Sequence, residues 1–184
     1  MILSDRDLRK LLSEGLLRID PIYDWQIGPT SIDLHLGESL TKYSSERLEL
    51  GRTAAAGIDV PFDERDGYVL AAGGFILGVT LEKITMPNGY QGFIETKGDV
   101  ARAGLQVHNG DGHVDPGSDH VITLEISNHN TIPLVLYPRI LVCQLFVHRL
   151  TSKCDRPYCG KYLHQVKPSI YQLTPPREAS VIDD

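Results

Sequence analysis

Short apolar runs separated by turn residues constrain this chain more than any other feature. Ile32, Leu34 and Leu36 alternate with Asp33 and His35 inside G-P-T-S-I-D-L-H-L-G, Gly28–Gly37. Ile122, Leu124 and Ile126 alternate with Thr123, Glu125 and Ser127. A period of two sends alternate side chains to opposite faces of a strand, so both runs predict strands buried on one side. Asp33 is then expected as an outward strand residue or a turn anchor, with a functional carboxylate as the lesser alternative. Tyr68–Ala71 and Phe75–Leu81 flank Gly73–Gly74 and read as a strand pair across that turn. Leu40–Asp66 reads as a short strand, an excursion and a turn, and Ile132–Leu136 and Ile140–His148 as strands around Y-P-R. Strands this short, about 8–12 residues apart, predict an all-β sandwich or barrel.

One helix is expected at Met1–Gly15, with Ser4 as N-cap, Asp7 completing a capping-box variant, and Leu3 and Leu8 at staple spacing. Leu8, Leu11 and Leu12 form its apolar face and Gly15 its stop. The tail Thr151–Asp184 loses the strand pattern but keeps specific polar groups, and is expected to close over a site, its own or a neighbour's.

Composition narrows the partners. Net charge is −6 with no basic run, which argues against a nucleic-acid polymer. No apolar run reaches the roughly 18 residues of a membrane span. The opening M-I-L-S-D-R-D-L has no signal-peptide pattern, so a cytoplasmic protein is expected. The odd cysteine count (Cys143, Cys154, Cys159) argues against a disulfide framework, and Cys154 and Cys159 have no second ligand pair of zinc-site spacing.

Polar chemistry concentrates between Gly92 and Glu125. Lys97 and Arg102 flank the turn K-G-D-V-A-R, with Gly98 allowing close backbone approach. If Val100 opens a helical turn, backbone N–H groups and both cations can converge on an anion such as phosphate. The alternate reading is a charged surface turn. Glu125 lies on the strand face opposite Leu124. It is an ordinary exposed residue if that face meets solvent, and a proton shuttle if it lines a cleft. Asp115, ten residues upstream, is placed to hold a sugar hydroxyl or a water.

These motifs in this order resemble the trimeric dCTP deaminase and dUTPase superfamily, in its deaminase branch. M-I-L-S-D-R-D-L, G-P-T-S-I-D-L-H-L-G, V-A-R-A-G-L, H-V-D-P-G and T-L-E carry the resemblance, with R-P-Y and K-Y-L-H-Q in the tail. It implies a mainly β, distorted jelly-roll-like, dUTPase-like barrel with an N-terminal helix. Residues 1–184 would form one domain, with 151–184 as a tail over the active site. It also implies a homotrimer with sites between subunits and a magnesium ion carried on the triphosphate of dCTP or dUTP, without zinc. Glu125 would make the proton transfers. Lys97, Gly98, Asp99 and Arg102 would meet phosphates, and Asp115 the deoxyribose. Thr123 and Leu124 would contact the base through backbone, and Tyr158, Lys161, Tyr162 and Gln165 would close over sugar and phosphates.

Two positions depart from the family pattern. Lys97-Gly98-Asp99 replaces the usual R-S-S, and Gly110-Asp111 replaces the usual threonine–alanine. Lysine lacks the bidentate geometry of arginine. Asp99 or Asp111 offers compensation, through magnesium or the cytosine amino group. The leading expectation is deamination of dCTP to dUTP and ammonia. The alternatives are a bifunctional enzyme taking dCTP to dUMP, a dUTPase, and a nucleotide-binding regulator without catalysis. A modified cytosine is a further variant of the first.

Overall fold

The computed structural model describes residues 1–173, so the part of the expected tail from 174 to 184 lies outside the described residues. The helix α1 (Asp5–Ser13) is shorter than its sequence pattern. Ser4 holds extended N-cap geometry, but its hydroxyl makes no cap bond and faces Asp7 at 3.4 Å instead. Leu3, Leu8 and Leu11 are buried, so the apolar stripe anchors the helix as expected.

The strands are β1 (Arg18–Asp20), β2 (Ile32–His35), β3 (Thr41–Tyr43), β4 (Gly57–Asp59), β5 (Tyr68–Leu70) and β6 (Phe75–Thr85). They continue as β7 (Tyr90–Thr96), β8 (Leu105–Val107), β9 (His113–Val114), β10 (Asp119–Asn128), β11 (Leu134–Leu136) and β12 (Leu141–Arg149), with α2 (Gly98–Arg102) between β7 and β8. One sheet runs β4-β3-β6-β10-β8, with β1 also on β6. A second runs β2-β12-β7-β9, and β11 pairs β5. Every pairing is antiparallel. The fold is mainly β and distorted jelly-roll-like; its sheets remain open at their edges and do not close into the expected barrel. No helix among the described residues is long and apolar enough to cross a membrane.

The core lies where the inward faces meet: Ile32 and Leu34 from β2 with Leu36 just beyond it, Ile76 and Ile84 from β6, Leu124 and Ile126 from β10, Leu145 and Val147 from β12. Ile32, Leu34, Leu36, Leu124 and Ile126 are side chains that the alternation assigned inward. Burying a side chain of this size contributes roughly 1.5–3 kcal/mol.

One pairing differs from the sequence expectation. Tyr68–Ala71 and Phe75–Leu81 do not form a hairpin; β5 pairs β11, while β6 pairs β10, β3 and β1. Asn128 supplies the reason. Its buried side-chain amide donates to the carbonyls of Leu70, Ala71 and Ile132, at 3.0, 3.1 and 2.9 Å. Its backbone exchanges bonds with Gly73 and Gly74. The glycine turn is therefore tied to the end of β10, and β5 is directed to β11.

Asp33 also departs from expectation. Neither solvent-facing nor a turn anchor, it accepts from Lys97 Nζ at 2.7 Å and Gln144 Nε2 at 2.8 Å. Beside it on β2, His35 meets the fully buried carboxylate of Glu82, which also accepts from the His35 N–H and from Gln26.

Candidate active site

The strand β10 positions the candidate site. Its pairing with β8 covers only Ile126–Asn128, so its edge nearer Asp119 is not covered by strand. The Glu125 carbonyl points to that side, accepting the His108 N–H at 2.9 Å. Strand alternation turns the peptide groups of Thr123 the same way, offering one N–H and one C=O along the edge.

A cavity of about 150 Å³ lies there, with Thr123, Glu125, His120 and Ile122 from β10 in its wall. Strict alternation would exclude His120 and Ile122 from the Glu125 face. Both nevertheless line the cavity; beside them the β10–β6 register shifts between Val121 and Thr123, with the extra residues on β6. The loop after β8 supplies His108 and Asp111, β9 supplies His113, and the tail supplies Tyr162, Gln165 and Ser169.

That loop is held tightly. His108 starts it in the left-handed region, at φ 64°. The Gly110 N–H donates to Glu125 Oε2 at 3.1 Å. Gly112 crosses β7 so closely that a Cβ would lie 2.7 Å from the Ile94 carbonyl, and the same crossing carries an Ile94 N–H bond to the Gly112 carbonyl. His113 Nδ1 lies 3.1 Å from Asp111 Oδ1, and its ring meets Phe93 edge-on.

Burial pushes the His108 imidazole down to about 4, against a small opposing pull from Asp111. Neither ring nitrogen has a hydrogen-bond partner among the described residues. Burial also lowers the pKa of His120. Two neutral imidazoles therefore stand beside Glu125 at neutral pH.

The tail docks on its own chain. Tyr158 N donates to the Pro116 carbonyl at 2.7 Å, and its ring tilts against His120. Gln165 Nε2 donates to the Val121 carbonyl at 2.8 Å and to Thr123 Oγ1 at 3.1 Å, while Ser169 N donates to the same hydroxyl. Gln165 thus occupies the strand edge. Lys161 lies over the Tyr162 ring and donates to the Gln172 carbonyl.

The phosphate-turn residues lie elsewhere. Lys97 caps α2 and pairs with Asp33, both side chains about one-fifth exposed, at 21% and 19%. Gly98 and Asp99 open α2, and Arg102 closes it in contact with Asp99 at 3.4 Å, exposed to solvent. None of these four lines the Glu125 cavity. Asp115 lies in a neighbouring concavity with Arg156 and Tyr158. The Leu124 side chain is fully buried, which leaves only its peptide groups for any contact. No group of three or more His, Cys, Asp or Glu among the described residues is arranged to hold a metal ion. Sequence reasoning did not place His120 or Ser169 in the site. A histidine at the inward parity of β10 was the available signal for the first.

The model of the dCTP deaminase-like family matches residues 2–150 of this chain, covering both sheets and the Glu125 strand. The chain belongs to the dCTP deaminase-like family. Among its relatives, a Dictyoglomus thermophilum protein named dCTP deaminase, dUMP-forming, is 37% identical over 94% of this chain and 95% of its own length. A protein of the same name from Sulfurihydrogenibium sp. is 38% identical over 90% and 93%. One from Methanothermobacter thermautotrophicus, again so named, is 36% identical over 94% and 93%. The fold is similar to the crystal structure of 2′-deoxycytidine 5′-triphosphate deaminase from Agrobacterium tumefaciens, at TM-score 0.61 and 20% identity. That match covers 80% of this chain and 47% of the other, so the chain spans about half that protein's length.

Proposed function

We propose that this chain deaminates dCTP and carries the product on to dUMP, consuming two waters and releasing ammonia and pyrophosphate. The dUMP-forming names of its relatives support this reading over deamination ending at dUTP. The observation that carries it is Glu125, set in a cavity beside a strand edge that no other strand covers, with the Gly110 N–H on one carboxylate oxygen.

A pyrimidine lying along the Thr123 edge displaces Gln165 and brings its C4 towards Glu125. Glu125 takes a proton from water as its oxygen bonds to C4, and protons return to N3 and to the exocyclic nitrogen. The C4–N bond breaks, ammonia leaves and O4 remains. Positioned proton transfer of this kind typically contributes about 10²–10⁴-fold. Hydrolysis of the α–β phosphoanhydride then takes a second water. Asp115 is assigned to that water, on the side of the site that Arg156 and Tyr158 share.

Lys97 is engaged by Asp33, and α2 does not reach the cavity, so we assign the phosphate end of each site to α2 of a neighbouring copy in a homotrimer. Arg102, exposed on α2, would be its mobile cation. Magnesium would arrive on the triphosphate. It keeps most of its waters and needs one or two carboxylates at most, which the exposed Asp99 fits.

The test is incubation with dCTP and, separately, dUTP, each with magnesium, with products separated by ion exchange. Ammonia, pyrophosphate and dUMP from dCTP, abolished by Glu125→Gln, support the proposal. Accumulation of dUTP returns the weight to a simple deaminase. Tight nucleotide binding without product points to a regulator.

A further inference from the structure

The loop that gives Glu125 its backbone donor also brings a second carboxylate. Asp111 follows Gly110, lines the same cavity and takes the His113 ring at 3.1 Å. It stands in the cavity lining together with Glu125 and His108 while staying largely open to solvent. Asp111 thus puts a second carboxylate in the wall of the cavity that holds Glu125.

Thr123 offers the base one backbone N–H and one C=O. Cytosine and uracil each present a neighbouring donor and acceptor, so the strand edge alone selects weakly between them. A carboxylate is acceptor-only when ionised, and pairs with the N4 amine of cytosine. Against uracil it would meet O4, lone pair against lone pair.

We propose that Asp111 is a specificity-determining residue that accepts from the exocyclic amine of cytosine and turns away the O4 of uracil, so that dCTP and not free dUTP is the entry substrate. The inference rests on the activity proposed above. It adds that the diphosphate-cleaving step is fed from within the site, by product that has just lost its amine.

The experiment compares wild type, Asp111→Asn and Asp111→Ala for kcat/KM on dCTP (ammonia released) and on dUTP (pyrophosphate released). Asp111 is 79% exposed, so neither variant threatens the fold. Wild type is expected to prefer dCTP by about tenfold or more, and both variants to shrink that ratio by about tenfold, the range of one base-reading contact. Asp111→Asn should do so chiefly by lowering KM for dUTP, because its amide can donate to O4. Calorimetric affinities for dCTP and dUTP separate the two ways of failing. Wild type that releases no ammonia sinks the proposed activity. The inference is overturned when both variants keep the wild-type dCTP:dUTP affinity ratio within twofold.

Discussion

His108 ties the site to the stability of the fold. Unfolded, its imidazole protonates near 6.5; folded, burial lowers that to about 4. Between these values the unfolded chain holds more protons, so stability rises with pH across this window. The contribution is fully present above about pH 7 and is lost as pH falls through 4. The full gap corresponds to about 3 kcal/mol, of which about 2 kcal/mol is already lost at pH 5. His108→Asn removes the titration and keeps a residue that tolerates the φ of 64°. Urea unfolding of both proteins at about pH 7.5, 6 and 5 measures the effect. His120 is common to both and cancels in the difference. The expected result is that wild type loses about 2 kcal/mol more than His108→Asn between the end points. A difference between the two proteins that stays constant with pH would refute the assignment of His108 as a buried neutral imidazole.

Three further outcomes follow from named contacts. A double-mutant cycle of Lys97→Ala and Asp33→Ala, read by urea unfolding, should give a coupling of about 1–2 kcal/mol, because the pair is only about one-fifth exposed; near-zero coupling would release Lys97 as a free cation. Asn128→Ala should cost about 2–4 kcal/mol, since three carbonyls lose their donor amide together; a cost below about 1 kcal/mol would show that β5 is held by other means. Gly112→Ala should push the loop from Ile94 and weaken the Gly110–Glu125 bond, lowering ammonia release about tenfold or more while the fold loses only about 1–3 kcal/mol; unchanged turnover would mean the loop does not position Glu125.

What could be read from the sequence depended on whether the deciding contact was local. Alternation in Ile122–Ser127 placed Leu124 inward and Glu125 outward because one face of β10 is buried, and a slip of one residue would reverse every position. The helix stripe at Leu8 and Leu11 was legible for the same reason. The Gly73–Gly74 hairpin was misread because its strands are redirected by Asn128, more than fifty residues on, through bonds that leave no period in the sequence.

The site divides along the same line. Glu125 was legible from parity, whereas His120 lines the same cavity from the opposite parity of β10, which alternation alone does not anticipate. Lys97 read as a free cation because its partner Asp33 lies 64 residues earlier, on a strand whose own pattern sent it outward. The pairing changes what the altered phosphate turn means. A lysine in place of arginine loses its bidentate grip on phosphate, yet here it is already engaged in closing β2 against the start of α2. With Asp33 matching its charge, the positive charge left on α2 is that of Arg102, paired with Asp99; under the function proposed above, a triphosphate or its magnesium ion would separate that pair. On this geometry Lys97 holds the shape of the turn, and under the function proposed above Arg102 would be the residue that meets phosphate. Asp99→Ala should therefore free Arg102 and strengthen metal-free nucleotide binding, a result that an arginine-like role for Lys97 would not produce.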